Sequence, residues 1–189
     1  MSIERLWAPW RLGYLAGEAV SEQPLEPARW QLGAEHDCFL CRSAADYADQ
    51  AAADRANLVV WRGSHSLVVL NRFPYANGHV LVSPLRHVAE LIDLEPAEHL
   101  EMMMVLGRLT TVMRDLVNAR GFNIGLNLGE VAGAGVPGHL HWHLVPRWAG
   151  DHNFMPTVAQ ARVIPQSLEA LWEMLTTALR EPINDANRK

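Results

Sequence analysis

The stretch "HLHWHLV", residues 139–145, constrains this chain more than any other. A histidine stands at every second position, and Leu140, Trp142 and Leu144 fill the gaps. Strand side chains alternate between faces. A strand here would project His139, His141, His143 and Val145 from one face and send the apolar residues into a core from the other. A helix would scatter the same histidines over different faces. The alternation therefore predicts a half-buried strand. Along it, neighbouring histidines lie roughly 6.5–7 Å apart and the outer two about 13 Å. A metal–imidazole bond is about 2 Å, so the outer two cannot share one ion. The triplet must serve at least two purposes.

Other segments supply the rest of a sheet. "NLVVW" (57–61), "SLVVLN" (66–71), "HVLVSP" (79–84) and "FNIGLNL" (122–128) are strand-like runs. "RGS" at 62–64 and "PYANG" at 74–78 suit the turns between the first three. Residues 44–55, "AADYADQAAADR", suit a short helix. Glu95-Pro96 opens a longer one, with proline at its first position and Gly121 just past its end. Leu109, Val112, Met113 and Leu116 share one face of it, and Met102, Met103 and Met104 read as core filler. "QSLEALWEMLTTALR", after Pro165, is a closing amphipathic helix. Antiparallel strands with segregated helices imply an α+β fold.

With 189 residues the chain suits one domain plus an arm. Residues 1–36, with Trp7, Trp10, Trp30 and three prolines, are expected to form that arm, and residues 37–189 the domain. The net charge of −5 offers no global field for nucleic acid or an anionic membrane. No apolar run approaches the ~20 residues of a membrane span, and the start lacks a signal core, so a cytoplasmic location is expected.

In such a compartment the two cysteines, Cys38 and Cys41 of "CFLC", read as half of a tetrahedral zinc site or as a redox pair. Candidate partners are His36, His65, His79, His87 and His139, although buried thiols have the same spacing. The Gly-rich loop "GEVAGAGVPG" (129–138) lets backbone amides approach an anion and leads into the histidines. A neutral imidazole beside a cradled phosphate is a competent nucleophile toward phosphorus. Flanking histidines and amides would neutralise the charge that develops on the phosphoryl oxygens.

On these residues the chain resembles the histidine triad superfamily, whose motif is matched by "HLHWHLV". "LNRFPYANGHVLVSPLRH" (70–87) looks like the family's nucleotide-binding hairpin, and "NLGEVAGAG" (127–135) like its phosphate loop. "LWAPWR" (6–11), "CFLC" and "VPRWAGDHNFMP" (145–156) are similar to a zinc-bearing bacterial branch that includes diadenosine tetraphosphate phosphorylases. The resemblance implies a five-stranded antiparallel sheet and a homodimer or larger homo-oligomer. It implies His141 as the nucleophile and His143 as the residue that binds phosphate and assists the leaving group. Asn71, His79, Asn127, Gly133, Ala134, Gly135 and Trp148 fall at substrate-binding positions, and Cys38, Cys41, His87 and His139 at those of a structural zinc site. The implied activity is cleavage of a nucleotide at its α-phosphate, with a dinucleoside polyphosphate as substrate and inorganic phosphate as acceptor.

Two departures bear on the acceptor. Hydrolytic members carry glutamine and then serine or threonine where this chain has Gly135 and Val136. Phosphorylase-like members carry Gly-Ser where it has Ala134 and Gly135. A hydroxyl that would hold an incoming phosphate is missing, which keeps water open as the alternative. The third histidine, present here as His143, argues against a uridylyltransferase, which carries glutamine there.

Overall fold

The computed structural model describes residues 25–151 and 166–180. Trp7, Trp10 and His152 lie outside those residues, as does most of the expected arm. The five expected strands form one antiparallel sheet. They are β1 (Val59–Arg62), β2 (Ser66–Leu70), β3 (Val80–Pro84), β4 (Gly121–Leu126) and β5 (Trp142–Arg147), in the order β1-β2-β3-β5-β4. The fold is α+β, as expected.

Period-2 patterning assigns each strand residue a face. Val68, Leu70, Val80, Val82 and Leu144 point into the main core. Two helices cover that face, α3 (Pro96–Val117) and α4 (Leu168–Arg180). Leu67 and Val69 point the other way, into a smaller cluster with Cys38, Leu40 and Cys41. His79, Leu81, His141 and His143 share this second face by register and parity.

The helices begin where local chemistry permits. The Asp49 side chain accepts the Ala52 N–H at 3.0 Å, so α2 starts at Gln50 and runs to Ala56 rather than starting at Ala44. Residues Phe39–Ala44 form a separate short helix, α1, that presents Cys41. Helix α3 opens at Pro96, where the Glu98 carboxylate accepts the Glu95 N–H at 2.8 Å. Its end differs from expectation. Asn118 adopts the left-handed conformation at φ 52° and stops the helix, while Gly121 opens β4. Of the methionine run only Met102 is core; Met103 and Met104 are exposed.

The histidine strand also starts late. Pairing begins at Trp142, not His139, and continues to Arg147. The preceding residues have other obligations: the Leu140 N–H goes to the Val88 carbonyl at 2.7 Å, and the His139 carbonyl accepts a side-chain proton. The alternation of faces survives this, with Leu140 and Leu144 in the core.

Candidate functional site

Two clusters share the second face and meet at His139. The first joins Cys38, Cys41, His87 and His139, whose ligand atoms all lie within 4.8 Å of one another. His139 Nδ1 is 3.4 Å from each sulfur, and His87 Nδ1 is 3.2 Å from Cys41 Sγ. Tetrahedral zinc with bonds of about 2.3 Å to sulfur and 2.0–2.1 Å to nitrogen would separate such atoms by roughly 3.5 Å. The observed spacing fits. Three of the four ligands are buried.

The surroundings orient these ligands. The Nε2–H of His139 donates to the Pro84 carbonyl at 3.0 Å, which turns its bare Nδ1 toward the sulfurs. Arg86, beside His87, is anchored to the buried carboxylate of Glu98 by bonds of 2.9 and 2.6 Å. A side chain at Gly138 would place its Cβ 2.9 Å from His87 Nε2, so glycine there makes room for the imidazole. Burial pushes the Cys41 thiol up to about 12 and pulls His139 down to about 4. Both shifts disfavour charge at these two groups, and a bound cation is what would favour the thiolate form of Cys41. His36, His65 and His79 are not in this cluster. His36 stacks on Trp30 at 4.2 Å, and His79 belongs to the second one.

The second cluster is His79, His141 and His143, and its hydrogen bonds decide each tautomer. The Tyr75 backbone N–H donates to His79 Nδ1 at 3.1 Å, with the Asn71 amide nitrogen 3.3 Å away. His79 therefore carries its proton on Nε2, which lies 2.9 Å from His143 Nδ1. His143 accepts there and holds its own proton on Nε2. That N–H is buried and has no acceptor among the described residues. Burial, and then the proximity of His141, lower the basicity of His143.

His141 is set the opposite way. Its Nδ1 is 2.7 Å from the His139 carbonyl, which can only accept, so the proton sits on Nδ1. Nε2 is left with a bare lone pair and no partner among the described residues. The His141 and His143 rings meet edge to face at 5.1 Å. A bare nitrogen thus stands beside a buried N–H, the pair needed to attack a phosphorus and hold an oxygen on it.

The loop before the histidines does less than its glycines imply. The Gly133 N–H donates to Glu130 and the Ala134 N–H to Gly129, so both are used within the turn. The Gly135 N–H has no protein acceptor among the described residues. Asn127 spans the loop with a 3.4 Å contact to the Gly133 carbonyl. Asn71 supports His79, and its Oδ1 accepts the Phe73 N–H at 2.9 Å. Trp148 sits with the main core, its indole N–H donating to the Val117 carbonyl at 2.9 Å. Tyr75 was missed by sequence reasoning. Its ring stacks on His143 at 5.9 Å and 15°, and no motif marks it.

A groove of about 500 Å³ lies elsewhere, lined by Trp61, Leu100, Met104 and Arg108 among others. Its one carboxylate, Glu101, is spent on the backbone of the β1–β2 turn, accepting from Ser64, His65 and Ser66. One histidine, His65, lines it, with neither a cysteine nor a second histidine beside it.

Comparison with known proteins agrees with this arrangement. A family profile described as "HIT domain" matches residues 53–150. An AP-4-A phosphorylase of Mycobacterium tuberculosis is 38% identical over 176 residues, covering 93% of this chain and 84% of that protein. An asymmetrical bis(5'-nucleosyl)-tetraphosphatase of Schizosaccharomyces pombe is 37% identical over 93 residues, 49% of this chain and 50% of that protein. A zinc-bound histidine triad family protein from Mycobacterium smegmatis superposes with a TM-score of 0.54 at 31% identity, over 65% of this chain and 84% of that one. The profile and the 38% relative, together with the histidine arrangement, show that this chain belongs to the HIT family.

Proposed function

We propose that this chain cleaves dinucleoside polyphosphates at an α-phosphate through a nucleotide adduct on His141, with inorganic phosphate as acceptor. The observation that carries the reading is the pair of opposed tautomers: bare Nε2 on His141, buried Nε2–H on His143. The His141 nitrogen forms a bond to phosphorus as the bridging oxygen departs with the polyphosphate. The His143 N–H hydrogen-bonds oxygen at the reacting phosphate. Phosphate or water then opens the phosphorus–nitrogen bond and returns His141 to its starting state. The relative named AP-4-A phosphorylase supports this substrate class.

A second reading, hydrolysis, has its own support. Two loop amides are consumed within the turn and residues 134 and 135 bear no hydroxyl, so few donors remain to hold an incoming phosphate. Product analysis on diadenosine tetraphosphate separates the two. ADP and ATP formed only with phosphate would establish phosphorolysis. AMP and ATP formed regardless of phosphate would establish hydrolysis. His141→Ala should bind nucleotide and yield neither product set; turnover by that variant would remove the mechanism.

Zinc in the cluster of two cysteines and two histidines is part of the proposal, supported by donor type and spacing and by the zinc-bound neighbour. When bound it supplies a cross-link between α1, the segment after β3 and His139, not chemistry on the substrate. Metal analysis should find about one ion per chain. We also infer a cytoplasmic, homo-oligomeric enzyme whose domain spans residues 37–189, with 1–36 as an arm. No helix among the described residues is long and apolar enough to cross a membrane. Strand β4 is a sheet edge with Ile124 exposed, which supports self-association.

A further inference from the structure

The histidine face is closed on one side and open on the other. His143 is flanked by Leu81 on β3 and by Gly125 on β4. Leu81 is buried, whereas a Cβ added at Gly125 would meet nothing within 4 Å. Next along the same row of β4 stands Asn123, opposite Val145 and exposed. Directly paired residues project from the same face, so Gly125 and Asn123 form a shelf beside His143.

The Asn123 amide on that shelf has a determined orientation. Arg147 Nη1 donates to Asn123 Oδ1 at 2.7 Å. A guanidinium has no acceptor, so the atom it meets must be the oxygen. The amide nitrogen then turns away with two donors, and no acceptor among the described residues takes them. Arg147 is held in turn by both carboxylate oxygens of Asp151, at 2.5 and 2.8 Å. The ion pair is partly buried, and it reaches the shelf through the Arg147–Asn123 bond.

We propose that Asn123 binds the polyphosphate of the departing nucleotide, with Arg147 and Asp151 as its positioning pair and Gly125 as the gap the phosphates cross. The inference rests on the function proposed above. Asn123 lies two residues along β4 from the position beside His143, about 7 Å. That is within reach of the phosphates beyond the one attacked. The residue would make the enzyme selective for leaving groups with several phosphates over leaving groups with none.

The test compares diadenosine tetraphosphate with adenosine 5'-phosphoramidate, which shares the nucleotide half and loses only ammonia. Asn123→Asp keeps the shape, keeps an acceptor for Arg147 and replaces the two donors by a negative oxygen. The ratio of kcat/KM for tetraphosphate to that for phosphoramidate should fall roughly ten-fold to a hundred-fold, the value of a hydrogen bond to a charged group. Inorganic tripolyphosphate should inhibit the wild type more strongly than the variant. The melting point should hold or rise, because the new carboxylate faces a guanidinium. A purely structural Asn123 would leave both the ratio and the inhibition unchanged, and that result overturns the inference. Wild-type protein inert toward both nucleotides would instead remove the proposed function, and the inference with it.

Discussion

A single backbone amide, that of Tyr75, decides which nitrogen of His143 carries a proton, acting through His79. Replacing His79 by leucine should break this relay. The expected loss in kcat is about a hundred-fold or more, the usual contribution of a positioned acid or base. Nitrogen NMR should then show a mixed tautomer at His143; a single unchanged tautomer would disprove the relay. The lowered basicity of His143 has a definite sign. The folded protein keeps it neutral at a pH where an ordinary histidine, near 6.5, is half protonated. The unfolded chain takes up that proton first, so its contribution to stability is intact above about pH 6.5 and declines as pH falls through the folded value. In an NMR titration the His143 ring should change protonation below the ordinary histidine range; a midpoint at about 6.5 would count against a buried His143 of lowered basicity.

Among the elements, the short helix α1 and the segment after β3 meet the histidine segment at the cysteine–histidine cluster. Cys38→Ser should lower the free energy of unfolding, read by chemical denaturation, by more than the about 1 kcal/mol of an average substitution, because metal binding contributes to folding. Gly138→Ala pushes on His87 and should weaken metal affinity about ten-fold to a hundred-fold, as lost support of a ligand does. Equilibrium competition with a chelator reads this out, and equal affinities would refute the steric argument. Much of this level was legible in advance. The strand-like runs and the alternating histidines marked all five strands, and "CFLC" with His87 and His139 marked the cysteine–histidine cluster through resemblance to a family. What was not legible were the boundaries. Asp49 and Asn118 set helix ends by one hydrogen bond and one left-handed residue, which no periodicity reports. The tautomers were illegible for the same reason. They depend on the carbonyl of His139 and the amide of Tyr75, atoms that every residue possesses.

At the scale of the whole molecule, one sheet divides structure from chemistry. The helix-covered face carries the main core, and the other carries every histidine of the two clusters except His87, which follows β3. The two faces share β5, where Leu144 is fully buried between His143 and Val145. Leu144→Ala should cost about 2 to 5 kcal/mol, the range for truncating a packed leucine. Chemical denaturation measures it, and a loss below about 1 kcal/mol would mean that the core closes over the gap. The alternation in "HLHWHLV" was enough to foresee this division. It could not foresee that Trp148, four residues after Leu144, would follow the same parity and pack against the main core.

The late start of β5 limits how far the motif can be moved. His139 and His141 precede the paired strand, and their rings are aimed by carbonyls outside it, those of Pro84 and His139 itself. His143 takes its state from a loop between two other strands. A designer who transplanted seven residues into another sheet would obtain three imidazoles with undefined protons. The smallest portable unit with defined tautomers is the motif together with the 71–79 loop and the segment 84–88.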